Sequence, residues 1–151
     1  MNEEETSVKR LLLLIRHAKS SWSDPGLTDI ERPLNKRGKR DAPFMGEKLA
    51  ERKILPDLFL SSPAKRAKKT AQKVAEAIGF SKEQIVIDRD IYHADDEELL
   101  EIIGRTEGEV KKLFVVGHNY TLTDLACQLT DTHIENVPTS GMVGIAFDCN
   151  W

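Results

Sequence analysis

The 151-residue sequence predicts an α/β fold: one domain built as a three-layer α/β/α sandwich around a mostly parallel sheet. Three observations carry that expectation. Short apolar runs alternate with longer amphipathic segments, as parallel strands joined by crossover helices require. Two of the runs, around Leu11–Ile15 and Leu113–Val116, are uninterrupted, as expected of strands covered on both faces. The length suits a single core, and no internal repeat, low-complexity tract or linker divides it.

The elements follow in order. Val8 to Ile15 reads as a buried strand, with residues 1–8 expected to form a frayed N-terminal tail ahead of a single domain over 9–151. Asn35 to about Lys53 has helical spacing at Ala42, Met45 and Leu49, with Asn35 as N-cap and Pro43 expected in the first turn or at the true start. Pro56 breaks it, and Asp57–Ser61 is a second strand. Ser62 then reads as a cap and Pro63 as the first helical residue. Ala67, Ala71, Val74 and Ile78 form the helix's inner stripe, and Gly79 closes it. Ile85–Ile87 is a short third strand, and a helix from about Asp95 to Ile103 has acids where the helix dipole favours them. Lys112–Gly117 is a fourth strand. Leu122, Leu125, Ala126 and Leu129 form the inner face of the next helix, and Met142–Phe147 is the last strand.

Composition narrows the function classes. A net charge of -3 gives no global attraction to nucleic acid or an anionic membrane, so any basic site must be local. No run approaches a membrane span, and MNEEETSVKR lacks a signal-peptide pattern, which makes the cytoplasm the expected compartment. Cys127 and Cys149 read as free thiols, and Asn119-Tyr120-Thr121 as a chance sequon. Nothing points to an oligomeric state.

Chemistry is expected where strands end, because ligands of open α/β sheets bind outside the carboxyl ends. Arg16 and His17 leave the first strand, Ser61, Ser62 and the turn bearing Arg66 leave the second, and His118-Asn119 leaves the fourth. Two guanidinium forks and two imidazoles suit a phosphoryl group. The forks match its oxygens, and a neutral imidazole whose other N–H is held by a carbonyl can attack phosphorus. The second imidazole is expected to be protonated and to stabilise developing negative charge. A zinc site from His17, His118 and nearby acids lacks a short-spaced ligand pair, so no metal and no cofactor is expected. His93 and His133 lack strand-end placement and read as ordinary polar residues.

Four stretches carry a resemblance: Leu14-Ile15-Arg16-His17-Ala18-Lys19-Ser20, Arg32-Pro33-Leu34-Asn35-Lys36-Arg37-Gly38, Ser61-Ser62-Pro63-Ala64-Lys65-Arg66 through Ala71, and Val115-Val116-Gly117-His118-Asn119. In this order they resemble the histidine phosphatase superfamily, with its phosphoglycerate mutase-like fold, and among its branches the chain is most similar to SixA-type phosphohistidine phosphatases. The resemblance covers about Leu11 to Phe147. It implies a nucleophilic His17, phosphate clamps at Arg16 and Arg66, His118 as the pocket's second imidazole, and a supporting role for Arg32 in the site loop. Lys19 and Ser20 follow closely enough to touch phosphate.

Two positions depart from the family pattern. Ala18 stands where the family usually has Gly, which requires that this residue not need a positive φ. Larger members place a carboxylic acid after the third strand, whereas Ile91 to Glu97 offers Asp95, Asp96 and Glu97, which read better as helix-start residues. An absent acid suits a labile phosphorus–nitrogen bond more than an alkyl ester. The expectation is a metal-independent phosphatase working through phospho-His17, acting on phosphohistidine in a protein. The alternatives are a phosphatase for small phosphate esters, with its acid from the 93–97 segment or His118, and a module that binds a phosphate or phosphoprotein without turnover.

Overall fold

A computed structural model describes residues 9–151. The expected N-terminal tail, and Val8 of the first strand, lie outside the described residues. The described residues form five strands and four α-helices in alternation: β1 (Arg10–Arg16), α1 (Lys36–Glu51), β2 (Leu58–Ser61), α2 (Lys65–Ile78), β3 (Val86–Ile87), α3 (Asp96–Gly104), β4 (Lys112–Gly117), α4 (Thr121–Thr130) and β5 (Met142–Phe147). The sheet order is β3-β2-β4-β1-β5, with every pairing parallel except that of β5 against β1.

Alternation along the strands feeds two cores. On one face Leu12, Leu14, Leu60, Leu113 and Val115 pack under α3 and α4, against Leu99, Ile102, Leu122 and Leu125. On the other, Leu13, Ile15, Phe59, Phe114 and Val116 pack under α1 and α2, against Leu49, Ala67, Ala71 and Val74. Both faces of β1 and β4 are therefore apolar, which accounts for their unbroken runs. The small residues Ala67 and Ala71 are fully buried and bring α2 close to the sheet.

Three local expectations need correction. Pro43 lies well inside α1, which starts at Lys36 with the Asn35 side chain accepting from the Gly38 N–H at 2.9 Å. The carbonyl left without a helical donor belongs to Lys39, an exposed residue, so the break falls on the solvent side. Ser62 is not the cap of α2. The helix begins at Lys65, so Pro63 precedes it, and the Ser62 hydroxyl accepts from the Ala64 N–H at 3.2 Å and meets His118. Leu129 is 38% exposed, because near the end of α4 it lines an open apolar groove with Leu100, Phe147 and Trp151 instead of entering the core. By contrast Asp95 caps α3 through a reciprocal capping box with Glu98, and Gly79 ends α2 at φ 79°.

The loop after β1 is clamped to α1 at Gly38. A Cβ there would lie 2.2 Å from the Lys19 carbonyl oxygen, and the Asn35 N–H donates to that same carbonyl at 2.9 Å. Gly38→Ala is therefore expected to destabilise the fold by about 1–3 kcal/mol through overpacking against backbone. Urea unfolding measures this, and an unchanged midpoint would contradict the contact.

Candidate active site

The parallel register sets three strand ends level. Arg16 of β1 lies opposite Gly117 of β4, and Ser61 of β2 lies opposite Val116. The ladders continue one residue further: the His17 N–H donates to the Gly117 carbonyl at 3.1 Å, and the Ser62 N–H to the Val116 carbonyl at 3.0 Å. The side chains leaving the sheet at Arg16, His17, Ser62 and His118 thus emerge at one edge, where α2 adds Arg66.

His17 is 9% exposed, and its Nδ1 lies 2.8 Å from the Ala18 carbonyl. A carbonyl only accepts, so Nδ1 carries the proton and Nε2 has a free lone pair. Burial, against the Ala18 bond and with the nearby Arg66, Arg16 and Arg32 charges, pushes the ring's pKa down to about 4. The imidazole is neutral at neutral pH. Ala18 is fully buried beside Leu34 and Ala42, and it is not among the residues with positive φ, so the methyl group in place of hydrogen is accommodated. Its N–H donates to Thr70 Oγ1 at 2.9 Å, and the Thr70 hydroxyl donates to the Arg66 carbonyl at 2.7 Å, which ties the loop to α2.

His118 sits with its ring centroid 5.2 Å from that of His17. Its Nε2 lies 2.7 Å from the Ser62 hydroxyl. The expectation of a protonated second imidazole is not met in the unliganded protein. Burial, followed by His17 and Arg66, lowers the pKa of His118 to about 3. The proton is lost because the ring is buried, beside His17 and the Arg66 guanidinium.

Both arginines are anchored by their outer nitrogens. Arg16 donates from Nη1 to the Val137 carbonyl at 2.9 Å. Arg66, 5% exposed, donates from Nη1 to the Asp29 carbonyl at 2.7 Å and from Nη2 to the Asp29 carboxylate at 2.9 Å. The Nε–H of each is buried and meets no acceptor among the described residues. A buried N–H without an acceptor costs about 1–3 kcal/mol, and an oxyanion between the two arginines would supply one to each.

Arg32 is 7% exposed, donates to Ser20 Oγ at 2.9 Å and to the Asp29 carboxylate, and lies 3.4 Å over the Trp22 ring. Its contacts support the site loop. They also commit Ser20 to Arg32 instead of to a ligand, while Lys19 is exposed. Asp95 is spent on capping. His93 and His133 are exposed, with His93 resting edge-on against Tyr92. The Asn119 Oδ1 accepts from the Thr123 N–H and hydroxyl.

Sequence reasoning passed over Asp29 and Tyr92. Asp29 accepts from Arg66, Arg32 and the Tyr92 hydroxyl, and these donors, Tyr92 foremost, hold its carboxyl down at about 2. The Tyr92 ring meets His118 edge-on at 5.4 Å. Only the three-residue spacing of Asp29 and Arg32 hints at this in the sequence.

The model of the histidine phosphatase superfamily (branch 1) matches residues 12–95. An uncharacterised chloroplast protein of Arabidopsis thaliana is 32% identical over 97% of this chain and 71% of its own. A solved structure from Agrobacterium tumefaciens that carries the SixA phosphohistidine phosphatase assignment is 33% identical, with a TM-score of 0.77 over 89% of this chain and 90% of that one. A protein histidine phosphatase SixA complexed with tungstate superposes with a TM-score of 0.80, covering 91% and 88% of the two chains. At 19% identity it speaks for the fold alone. Among the described residues no helix is long and apolar enough to cross a membrane.

NMR titration is expected to find His17 titrating near 4 and His118 near 3, against an ordinary 6.5. Because the unfolded chain takes up these protons near 6.5 and the folded one does not, stability is complete above pH 6.5. It declines as pH falls from there toward 4. Replacing His118 with Gln is expected to flatten that decline, measured as unfolding midpoint against pH.

Proposed function

This chain belongs to the histidine phosphatase superfamily, and on that premise we propose that it is a metal-independent phosphatase that carries the phosphoryl group on His17, with phosphohistidine in a protein as its substrate. The observation that carries the reading is the His17 tautomer. With Nδ1–H held by the Ala18 carbonyl, Nε2 is the nucleophile, and burial keeps it unprotonated. Nε2 attacks phosphorus, the bond to the leaving group breaks with its electron pair going to the departing atom, and water then hydrolyses phospho-His17.

Arg16 and Arg66 bind the phosphoryl oxygens through the N–H groups that the protein leaves unpaired, most tightly as charge spreads in the transition state. His118, neutral before substrate arrives, donates a hydrogen bond or takes up a proton once a phosphoryl dianion lies beside it. Phosphohistidine is favoured over phosphate esters because the acids at the start of α3 serve the helix: the Asp95 carboxylate accepts from the Glu98 N–H at 2.8 Å. An ester oxygen needs a proton donor, and a protonated imidazole leaves without one.

Mixing with a labelled phosphodonor and quenching in base, where phosphohistidine survives, is expected to trap an adduct that acid then removes. His17→Ala is expected to abolish the adduct and lower turnover by about 1,000-fold or more. A variant that keeps most of its activity would reject the mechanism. Absence of an adduct in the wild type would favour a protein that binds phosphate without turning it over.

A further inference from the structure

We propose that Asp29 is the residue that reads the leaving group: its carboxylate accepts the distal N–H of a protonated phosphoimidazole, and so selects nitrogen-bound phosphoryl groups over phosphate esters. The inference rests on the reading of His17 as nucleophile and assigns the chemistry on the far side of the phosphorus.

Asp29 opens a short 3-10 turn, Asp29–Glu31, that crosses the mouth of the site. Its Oδ1 accepts from the Nε and Nη2 of Arg32, both at 3.1 Å, and its Oδ2 from Arg66 Nη2 at 2.9 Å and from the Tyr92 hydroxyl. Every neighbour is a donor. A carboxylate so surrounded stays ionised and has no proton to give an ester oxygen. It can accept one more N–H only by exchange, and Tyr92 is the exchangeable partner. The two arginine side chains are less than 10% exposed, whereas Tyr92 lines an open groove of about 610 Å³ with Ile30, Pro63, Arg89 and His93. The Asp29 side chain is itself 51% exposed. Tyr92 links that groove to Asp29, so an imidazole that displaces the tyrosine hydroxyl takes its place on Oδ2.

The chemistry balances without an added acid. A phosphoimidazole takes a proton from water at its distal nitrogen, and the carboxylate stabilises that cation. As His17 Nε2 forms its bond to phosphorus, the P–N bond breaks and its electron pair goes to the leaving nitrogen. The proton remains on the distal nitrogen, so neutral imidazole departs. Without the carboxylate the same bond must break from a less protonated substrate, at the cost of a more basic leaving group. The charged and titratable groups around Asp29 are Arg66 from α2, Arg32 and Glu31 from its own loop, Tyr92 and His93 from the turn after β3, and His118 from the β4 exit. The two arginines oppose protonation of Asp29.

The test compares Asp29→Asn with wild type on phosphoimidazole and on p-nitrophenyl phosphate, whose leaving group needs no proton. The expected result is at least a tenfold larger loss of kcat/KM on phosphoimidazole than on p-nitrophenyl phosphate at pH 8. The alkaline limb of the phosphoimidazole profile is also expected to move to lower pH by about one unit, as removal of a neighbouring opposite charge does. Equal losses on both substrates would make Asp29 a brace for Arg66 only, and an unshifted limb would overturn the proposal too. Wild type inactive on both substrates would instead sink the reading of His17 as nucleophile.

Discussion

The register of three parallel strands is the constraint on which everything else depends. β2, β4 and β1 run side by side and end level, so Ser61, Val116 and Gly117 bring His17, Ser62 and His118 to one line at the sheet edge. A slip of one residue in either pairing would send the terminal side chain to the opposite face. The apolar alternation that fills two cores prevents that slip, because Leu12 and Leu14 belong to one core and Leu13 and Ile15 to the other. Packing deep in the protein therefore sets the geometry of groups that never enter it.

The site built on that edge is cationic but holds few mobile protons. Arg16 and Arg66 supply permanent charge, while burial, reinforced by Arg66 at both rings and by Arg16 at His17, keeps the imidazoles neutral. That division suits the proposed phosphoryl transfer, in which fixed charge would bind the anion and a neutral ring would supply the lone pair. Asp29 completes it by accepting from the outer edge of Arg66 while Arg66 Nε stays without a protein acceptor. One carboxylate thus joins the loop after β1, α2 and the turn after β3.

The fold was largely legible because its signals are local and agree. Unbroken runs at Leu11–Ile15 and Leu113–Val116, the cap at Asn35 and the stop at Gly79 each specify one structure, and the β-α alternation fixes their arrangement. Pro43 misled because a proline inside a helix is costly in isolation, whereas here α1 packs along α2 and the orphan carbonyl belongs to an exposed residue. Ser62 misled because its hydroxyl meets the His118 ring and accepts only from the Ala64 N–H, one residue ahead of a helix that starts at Lys65. At the site, Arg16, His17 and His118 stand out because they lie at strand ends, and Arg66 because it sits in the first turn of the helix that follows β2. Asp29 and Tyr92 could not, since they lie in irregular turns 63 residues apart and meet only through tertiary folding.

Neutral imidazoles raise the question of how the second histidine serves a dianion. The same burial that removes its proton also strengthens its response to new charge, since a phosphoryl group placed beside it acts through little water. In the proposed reaction the proton affinity of His118 would then follow occupancy: low while burial, His17 and Arg66 act alone, higher when an anion joins them. The Ser62 hydroxyl fits both states, because it can donate to a bare Nε2 or accept from a protonated one. This serine thus gives the site a partner that need not be remade as the imidazole gains or loses a proton. Neither a carbonyl nor a carboxylate at that position could follow the change.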